Sequence, residues 1–172
     1  MLAAALRADG YRGPVEIAAA GTPDAVYRAD VIVAATSGGP GTLDVDRLRP
    51  GTLVVDDSFP HCFDTTRALA RMRDHGDVLV VGGGLLDCGP AERTVAAGLP
   101  LTARPGLPGM LASCQLESLL HAVVPGLPLV CGPVGAAGAD AYWSALDAAG
   151  VKAAPRHLLG HLLPSQNLVS RD

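Results

Sequence analysis

The residue best suited to nucleophilic chemistry is Cys114, in the segment from Ala112 to Glu117. A helical pattern over about residues 110 to 124 places it in the first turn of the predicted helix. The amide dipoles at a helix N-terminus favour the nucleophilic thiolate form of a cysteine. Glu117 and His121 share its helix face, but His121 lies about 10 Å along the helix, too far for a direct base. A free cysteine is also a common small buried residue, and the residue types leave that alternative open.

Small polar residues follow the apolar runs that end near Ala35, Asp56 and Val81. Such continuous runs are typical of parallel strands buried on both faces. Since an open α/β sheet binds its ligand at the carboxyl ends of its strands, we predict contacts there with a nicotinamide ribose or a substrate. The predicted cofactor-binding residues are Thr36, Ser37, Gly38, Asp57, Gly82, Gly83 and Gly84. The alternatives are ordinary strand-end and N-cap hydrogen bonding for the polar side chains, and a tight strand exit for the glycines.

Alternating strands and helices indicate the elements that position these residues. They predict an α/β fold: a parallel-sheet Rossmann-like domain, N-terminally incomplete, with a C-terminal helical segment. We assign the partial NAD(P)-binding domain to residues 1–88, a linker or loop to 89–111, and the helical substrate or catalytic segment to 112–172. Strands are predicted over residues 14–19, 30–35, 52–56 and 77–81, and helices over 2–8, 23–28, 64–75, 110–124 and 137–149, with a short helix or turn at 43–48.

Several residues mark the helix ends and faces. Asp64 is the predicted N-cap of the helix over 64–75, and Gly76 is its stop. Met72 and Leu69 are predicted on its inner face. The helix over 110–124 has an apolar stripe of Leu116, Leu119, Leu120 and Val123.

Composition excludes several classes of function. The chain has 172 residues, 49% of them hydrophobic and only 3% aromatic, with a formal charge of −4. Its basic residues are scattered singly, which argues against a nucleic-acid partner. The apolar runs are too short to span a membrane, and the first residues do not read as a signal peptide, so we expect a cytoplasmic protein.

The cysteine and histidine spacings do not form a metal-binding pattern, so no metal is predicted. The four cysteines, Cys62, Cys88, Cys114 and Cys131, are expected to be free thiols. His61 and Cys62 follow Pro60, where a surface loop is favoured over a ligand or catalytic role.

The glycine-rich G-x-G-x-x-G turn that opens a dinucleotide-binding fold is not found near the start of the sequence. The glycines at 82–84 come after three predicted strands, too late in the order for that turn. We therefore expect the first strand, the phosphate-binding turn and the second strand to be missing. An exposed sheet edge would then pair with a partner chain that supplies this unit, or with a second copy.

Several segments together resemble the long-chain acyl-(acyl-carrier-protein) reductases. They are the strand run at 29–33, the segment 44–56 with Pro60 and Asp64 nearby, the run and glycine exit at 77–86, the segment around Cys114, and residues 149–151. The resemblance covers roughly residues 15 to 155. The first half is also similar to the shikimate dehydrogenase and glutamyl-tRNA reductase group, which has Val-x-Ala-Thr-Ser at this strand end.

The resemblance implies reduction of an acyl thioester to an aldehyde. Cys114 would take the acyl group from acyl carrier protein or coenzyme A, Glu117 would assist, and NADPH held at the strand ends would deliver hydride. The family tends to have Glu-His after its Gly-Gly, whereas this chain has Asp87-Cys88. Two alternatives remain open: a non-catalytic or split-enzyme subunit, and a shikimate-dehydrogenase-like oxidoreductase without a covalent step.

Overall fold

The computed structural model describes residues 2–8, 10–16, 23–88, 110–129 and 135–164. A parallel sheet in the order β1-β2-β3 is formed by β1 (Val31–Ala34), β2 (Leu53–Asp56) and β3 (Leu79–Gly82). This mixed α/β arrangement agrees with the predicted fold class. The helical elements up to β3 are α1 (Leu2–Ala8), the 3₁₀-helices Pro23–Arg28 and Val45–Arg47, and α2 (Thr65–Asp74).

The β-branched runs form strands because their side chains pack on a shared face. Ile32, Val54 and Val80 are neighbours across the three strands and are buried. They belong to one apolar cluster with Phe63 of the loop after β2 and Met72 of α2. This packing holds the carboxyl ends of the strands at one edge.

Helix α2 begins and ends where the sequence predicts. The Asp64 side chain accepts a hydrogen bond from the Arg67 amide at the N-terminus, and Gly76 just beyond the C-terminus has φ +61°. The Arg71 guanidinium donates to the Asp77 carboxylate and to the carbonyl oxygens of Val45 and Leu48. Arg71 therefore fastens α2 to the segment between β1 and β2.

A second group of elements follows β3. Strand β4 (Leu85–Asp87) lies between β5 (Met110–Ala112) and β6 (Lys152–Ala153) in an antiparallel sheet. Helices α3 (Ser113–Val123) and α4 (Ala136–Ala148) follow β5, and β7 (His157–Leu158) pairs with β8 (His161–Leu162). A smaller apolar cluster joins the antiparallel sheet to α3 and α4 through Cys88, Leu111, Leu116, Leu120 and Ala145, whereas Leu158 of β7 belongs to the cluster of the parallel sheet.

The structure corrects the predicted helix over 110–124. Residues 110–112 form β5, and the helix begins at Ser113. The first two residues of that strand were assigned to the linker over 89–111, whose other residues lie outside the described part of the chain. A three-residue apolar run before a helix has no period that distinguishes strand from helix. The prediction that Val123 belongs to the apolar stripe of this helix was also wrong, since its side chain is 69% exposed.

Other differences concern short elements. Residues 14–16 of the predicted strand over 14–19 are not in a strand, and residues 17–19 lie outside the described part. The strands β4, β6, β7 and β8 were not predicted. Two or three residues are too few to show alternation. Strands β4 and β6 are defined by pairing with distant segments, whereas β7 and β8 pair with each other across a two-residue turn. In the described residues, no helix has the length and apolar character needed to cross a membrane.

Candidate functional site

The carboxyl edge of the parallel sheet brings together the exits of β1 and β2. The Thr36 amide donates to the Ser58 hydroxyl oxygen at 2.9 Å. The Thr36 hydroxyl oxygen in turn accepts from the Gly38 amide at 3.1 Å, while Ser37 and Gly38 are exposed. The predicted residues after β1 thus form a tight loop fixed to the loop after β2, with the Ser37 hydroxyl open to solvent.

The exits of β2 and β3 are in direct contact. The Asp57 amide donates to Ala34 O and the Gly83 amide to Asp56 O, each at 2.7 Å, so the parallel ladder continues past the strand ends. Gly84 has φ +70°, and a Cβ atom built there would lie 1.9 Å from Asp57 Oδ1. Glycine is required at 84 because the Asp57 carboxylate occupies the space where a side chain would be.

Helix α3 starts at the same edge. The Ser113 amide donates to Gly84 O at 2.8 Å, and Cys114 is the next residue. The residue preceding the helix, Ala112, provides no side-chain cap. Cys114 is exposed. Burial among the leucines, the alternative left open by its residue type, is therefore not its environment. We call Thr36, Ser37, Asp57, Gly83, Gly84 and Cys114 the rim.

Glu117 lies one turn after Cys114 and contacts α4. The Tyr142 hydroxyl lies 3.4 Å from Glu117 Oε1 and 2.5 Å from His121 Nε2, and it donates to Pro128 O at 2.9 Å. Desolvation and the nearby Glu117 carboxylate raise the pKa of Tyr142. Tyr142 therefore holds two polar side chains of α3 in a fixed arrangement, and nothing in the sequence pattern indicated this.

The Asp56 carboxylate organises the loop after β2. Its side chain is fully buried and accepts from the amides of Ser58 and Cys62, at 3.0 and 3.1 Å, and from His61 Nδ1 at 2.8 Å. Burial alone would raise the pKa of Asp56, but hydrogen bonds from Ser58, Cys62 and His61 outweigh it and lower the pKa below its usual value. The loop is thus built around a buried, ionised carboxylate.

The environments of His61 and Cys62 differ from the surface loop that the sequence predicted. The His61 side chain is only 14% exposed, and its ring stacks on Phe63 with centroids 5.4 Å apart. Cys62 is buried, and desolvation together with Asp56 raises its pKa to about 11. The sequence did not predict these environments because they result from the burial of Asp56. That burial depends on how the loop closes over the strand end, and the residue types do not indicate it.

Gly82 lies against a histidine that the sequence analysis did not select. His157 is buried, its Nδ1 donates to Pro155 O at 2.9 Å, and a Cβ atom built on Gly82 would lie 3.1 Å from His157 Nε2. The open side of Gly82 therefore faces this imidazole.

Among the described residues, the segments that directly follow β1, β2 and β3 do not offer the uncapped start of a longer helix that the pyrophosphate of a dinucleotide would need. In the described residues, β1 leads to a three-residue 3₁₀-helix, β3 leads to a strand, and the N-terminus of α2 is capped by the Asp64 carboxylate. A pyrophosphate needs free amides at the start of a longer helix. The groups that this edge presents after β1 and β2 are the hydroxyls of Thr36 and Ser37 and the exposed carboxylate of Asp57.

An open cleft of about 550 Å³ lies elsewhere, along α2, lined by Asp46, Arg67, Ala70, Arg71, Asp74, His75 and Asp77. Asp77 precedes β3, so the cleft is at the amino edge of the sheet, opposite the rim. Its arginines are paired with its own carboxylates: Arg71 with Asp77 and Arg67 with Asp46. Over the described part of the chain, three or more His, Cys, Asp or Glu side chains are nowhere grouped to hold a metal ion.

Comparisons of this chain with protein-family models, with curated proteins and with solved structures found no match.

Proposed function

We propose that this chain reduces acyl thioesters of acyl carrier protein or coenzyme A to aldehydes, through a thioester on Cys114 and with NADPH as reductant. The observation that carries the proposal is the hydrogen bond from Ser113 N–H to Gly84 O, which starts the helix of an exposed cysteine at the sheet edge. The resemblance of the segments around Cys114 and Gly84 to the acyl-(acyl-carrier-protein) reductases supports it. We also propose that the parallel sheet is part of a Rossmann-like domain that binds this cofactor.

Each rim residue has a distinct task. The thiolate of Cys114 attacks the acyl carbon, and the donor thiol leaves as the new thioester forms. Glu117, three residues on and on the same helix face, accepts the thiol proton. Thr36, Ser37 and Asp57 bind the ribose, and Gly83 and Gly84 leave room for Asp57 to lie against the backbone at the exit of β3. NADPH, when bound, supplies the hydride that reduces the thioester.

Isotope transfer tests this proposal. The chain is mixed with an acyl-coenzyme A and NADPH deuterated at the transferred position, and the aldehyde is analysed by mass spectrometry. We expect one deuterium per aldehyde, with a rate that falls by about 10³-fold or more in Cys114→Ala. Gln115→Ala, exposed on the same turn, is the control and keeps the wild-type rate. Deuterated aldehyde formed equally well by Cys114→Ala would contradict the covalent step.

A second candidate is a subunit that pairs through β1 with a partner chain carrying the pyrophosphate turn. Val33, Val55 and Val81 are aligned across the sheet, yet Val33 is 75% exposed whereas Val81 is buried. Among the described strands, β1 and β3 are the two edges of the parallel sheet, and the exposed valine belongs to β1. An exposed apolar edge strand favours strand pairing.

Calorimetric titration with NADPH separates the two candidates. The reductase predicts saturable binding by the isolated chain, which Asp57→Ala weakens. The subunit predicts none until the partner is added, and a partner complex that Val33→Lys disrupts. Val123→Lys, at an exposed valine on α3, is the matched control and leaves such a complex intact. Saturable binding without any partner would rule out the subunit.

A further inference from the structure

We propose that His61 is the proton donor to the acyl oxygen during reduction of the Cys114 thioester, and that Asp56 positions it. The inference rests on the proposed function and adds a second residue to its chemistry. It starts from the buried carboxylate–imidazole pair in the loop after β2.

The structure fixes which nitrogen of His61 is available. His61 Nδ1 lies 2.8 Å from Asp56 Oδ2, and the carboxylate is itself held by the amides of Ser58 and Cys62. An ionised carboxylate accepts a hydrogen bond, so Nδ1 carries the proton that it donates. The Nε2 atom is then free to give or take a second proton, and stacking on Phe63 fixes the ring plane.

The loop that carries His61 is connected to the rim at two points. It leaves β2 through Asp57, whose carboxylate contacts Gly84, and Ser58 binds the exit of β1 through Thr36. On the other side, Gly39 and Leu43 pack against this loop and carry no charge. In the contacts that the structure gives for this loop, the titratable groups next to His61 are Asp56, in direct contact, and its chain neighbour Cys62.

His61 is better placed for proton transfer than the other imidazole near the sheet edge. His157 is 5% exposed and lies behind Gly82, with Nδ1 committed to a backbone carbonyl. His61 keeps part of its ring accessible and is backed by a carboxylate, the arrangement that holds an imidazole in one tautomer.

The reduction has a balanced role for this residue. NADPH, when bound, would supply the hydride that adds to the acyl carbon, and His61 Nε2 gives a proton to the carbonyl oxygen. The C–S bond then breaks with its electron pair on sulfur, and the hydroxyl proton returns to Nε2. The products are an aldehyde and the Cys114 thiolate, and His61 ends in its starting protonation state.

The last step of this reaction, release of the aldehyde from Cys114, runs in reverse without cofactor. Addition of an aldehyde to Cys114 therefore gives a direct test. Octanal enriched in ¹³C at the carbonyl carbon is added to the chain, and exchange between the free aldehyde and its Cys114 adduct is measured by NMR. In His61→Asn the amide still donates to Asp56 but transfers no proton. We expect exchange to slow by about 100-fold in His61→Asn and to recover in His61→Ala when imidazole is added.

The controls separate this inference from the proposed function. His75→Ala, an exposed histidine just after α2, keeps the wild-type exchange rate. No adduct in the wild-type chain, or an adduct unchanged in Cys114→Ala, would overturn the proposed function and this inference with it. An adduct on Cys114 that exchanges at the wild-type rate in His61→Asn would overturn the role of His61 alone. If His61→Asn does not fold, imidazole rescue of His61→Ala decides: recovery supports the role, and its absence overturns it.

Discussion

At the scale of single residues, the cysteines of the described part differ in what surrounds their sulfur atoms. Cys114 is exposed at the start of α3, whereas Cys62 and Cys88 are buried. Cys131 lies outside the described residues. Exposure is one requirement for the reactivity of a thiol, and among these cysteines of the described part Cys114 meets it.

Alkylation checks this difference. Cys62 has its pKa raised to about 11, so about one thiol in a thousand is ionised at about pH 8. We expect iodoacetamide to label Cys114 at least about 100-fold faster than Cys62, as measured by peptide mapping over time. Comparable labelling rates for the two residues would contradict the assigned environments. Labelling in denaturant, where both are exposed, is the control.

The Asp56 carboxylate carries a second prediction, about stability. Asp56→Asn removes the ionised acceptor of two amides and an imidazole, and we expect a loss of about 3 kcal/mol in the free energy of unfolding near neutral pH. The folded pKa of Asp56 is lowered, so its stabilisation is complete above the unfolded value of about 3.9 and is lost as pH falls below it.

Urea unfolding at about pH 7 and about pH 3 measures both effects. The gap between wild type and Asp56→Asn should shrink at the lower pH, because the Asp56 carboxylate of the unfolded wild-type chain takes up a proton there, which lowers the free energy of unfolding. Asp57→Asn, at an exposed carboxylate, is the control and stays near the wild-type stability. A gap that is the same at both pH values would show that Asp56 does not contribute through its charge.

At the scale of elements, the rim depends on the close approach of two strand exits. A Cβ atom at Gly84 meets Asp57 Oδ1 at 1.9 Å, whereas one at Gly126 meets nothing within 4 Å. Both glycines have positive φ, +70° and +80°, so an alanine is strained at either position. In the contacts that an added Cβ atom would make, the two positions differ by the contact with Asp57.

We expect Gly126→Ala to cost about 1–2 kcal/mol of unfolding free energy, from backbone strain. Gly84→Ala should cost at least about 1 kcal/mol more, because the methyl group displaces the Asp57 carboxylate. Adding Asp57→Ala should recover part of that excess, as a double-mutant cycle by urea unfolding would show. Equal losses at the two glycines would contradict the packing of the β2 and β3 exits.

The sequence predicted those elements whose signals are local. The Asp64 cap, the Gly76 stop and the valine-rich runs of β1 to β3 need only a few neighbouring residues to be recognised. The short strands β4 to β6 were missed because distant pairing defines them, and β7 and β8 were missed because two residues each are too few to show alternation. The environments of His61 and Tyr142 were missed for a related reason: each depends on a partner from another loop or helix.

At the scale of the whole molecule, two groups of elements meet where β3 ends. The parallel sheet supplies polar strand exits, and the helix that carries Cys114 starts from the Gly84 carbonyl beside them. The predicted rim residues came from two independent patterns in the sequence, the strand ends and the helix N-terminus. Their proximity follows from the turn at Gly83 and Gly84, which no periodicity reveals.

The acyl-cysteine is the central claim, and intact-mass measurement tests it most directly. The chain is incubated with an acyl-coenzyme A in the absence of NADPH, and the acylated residue is located by peptide mapping. We predict a mass increase of one acyl group on Cys114, lost in Cys114→Ala and retained in Gln115→Ala. A chain that gains no acyl group, or that gains it equally without Cys114, would contradict the account.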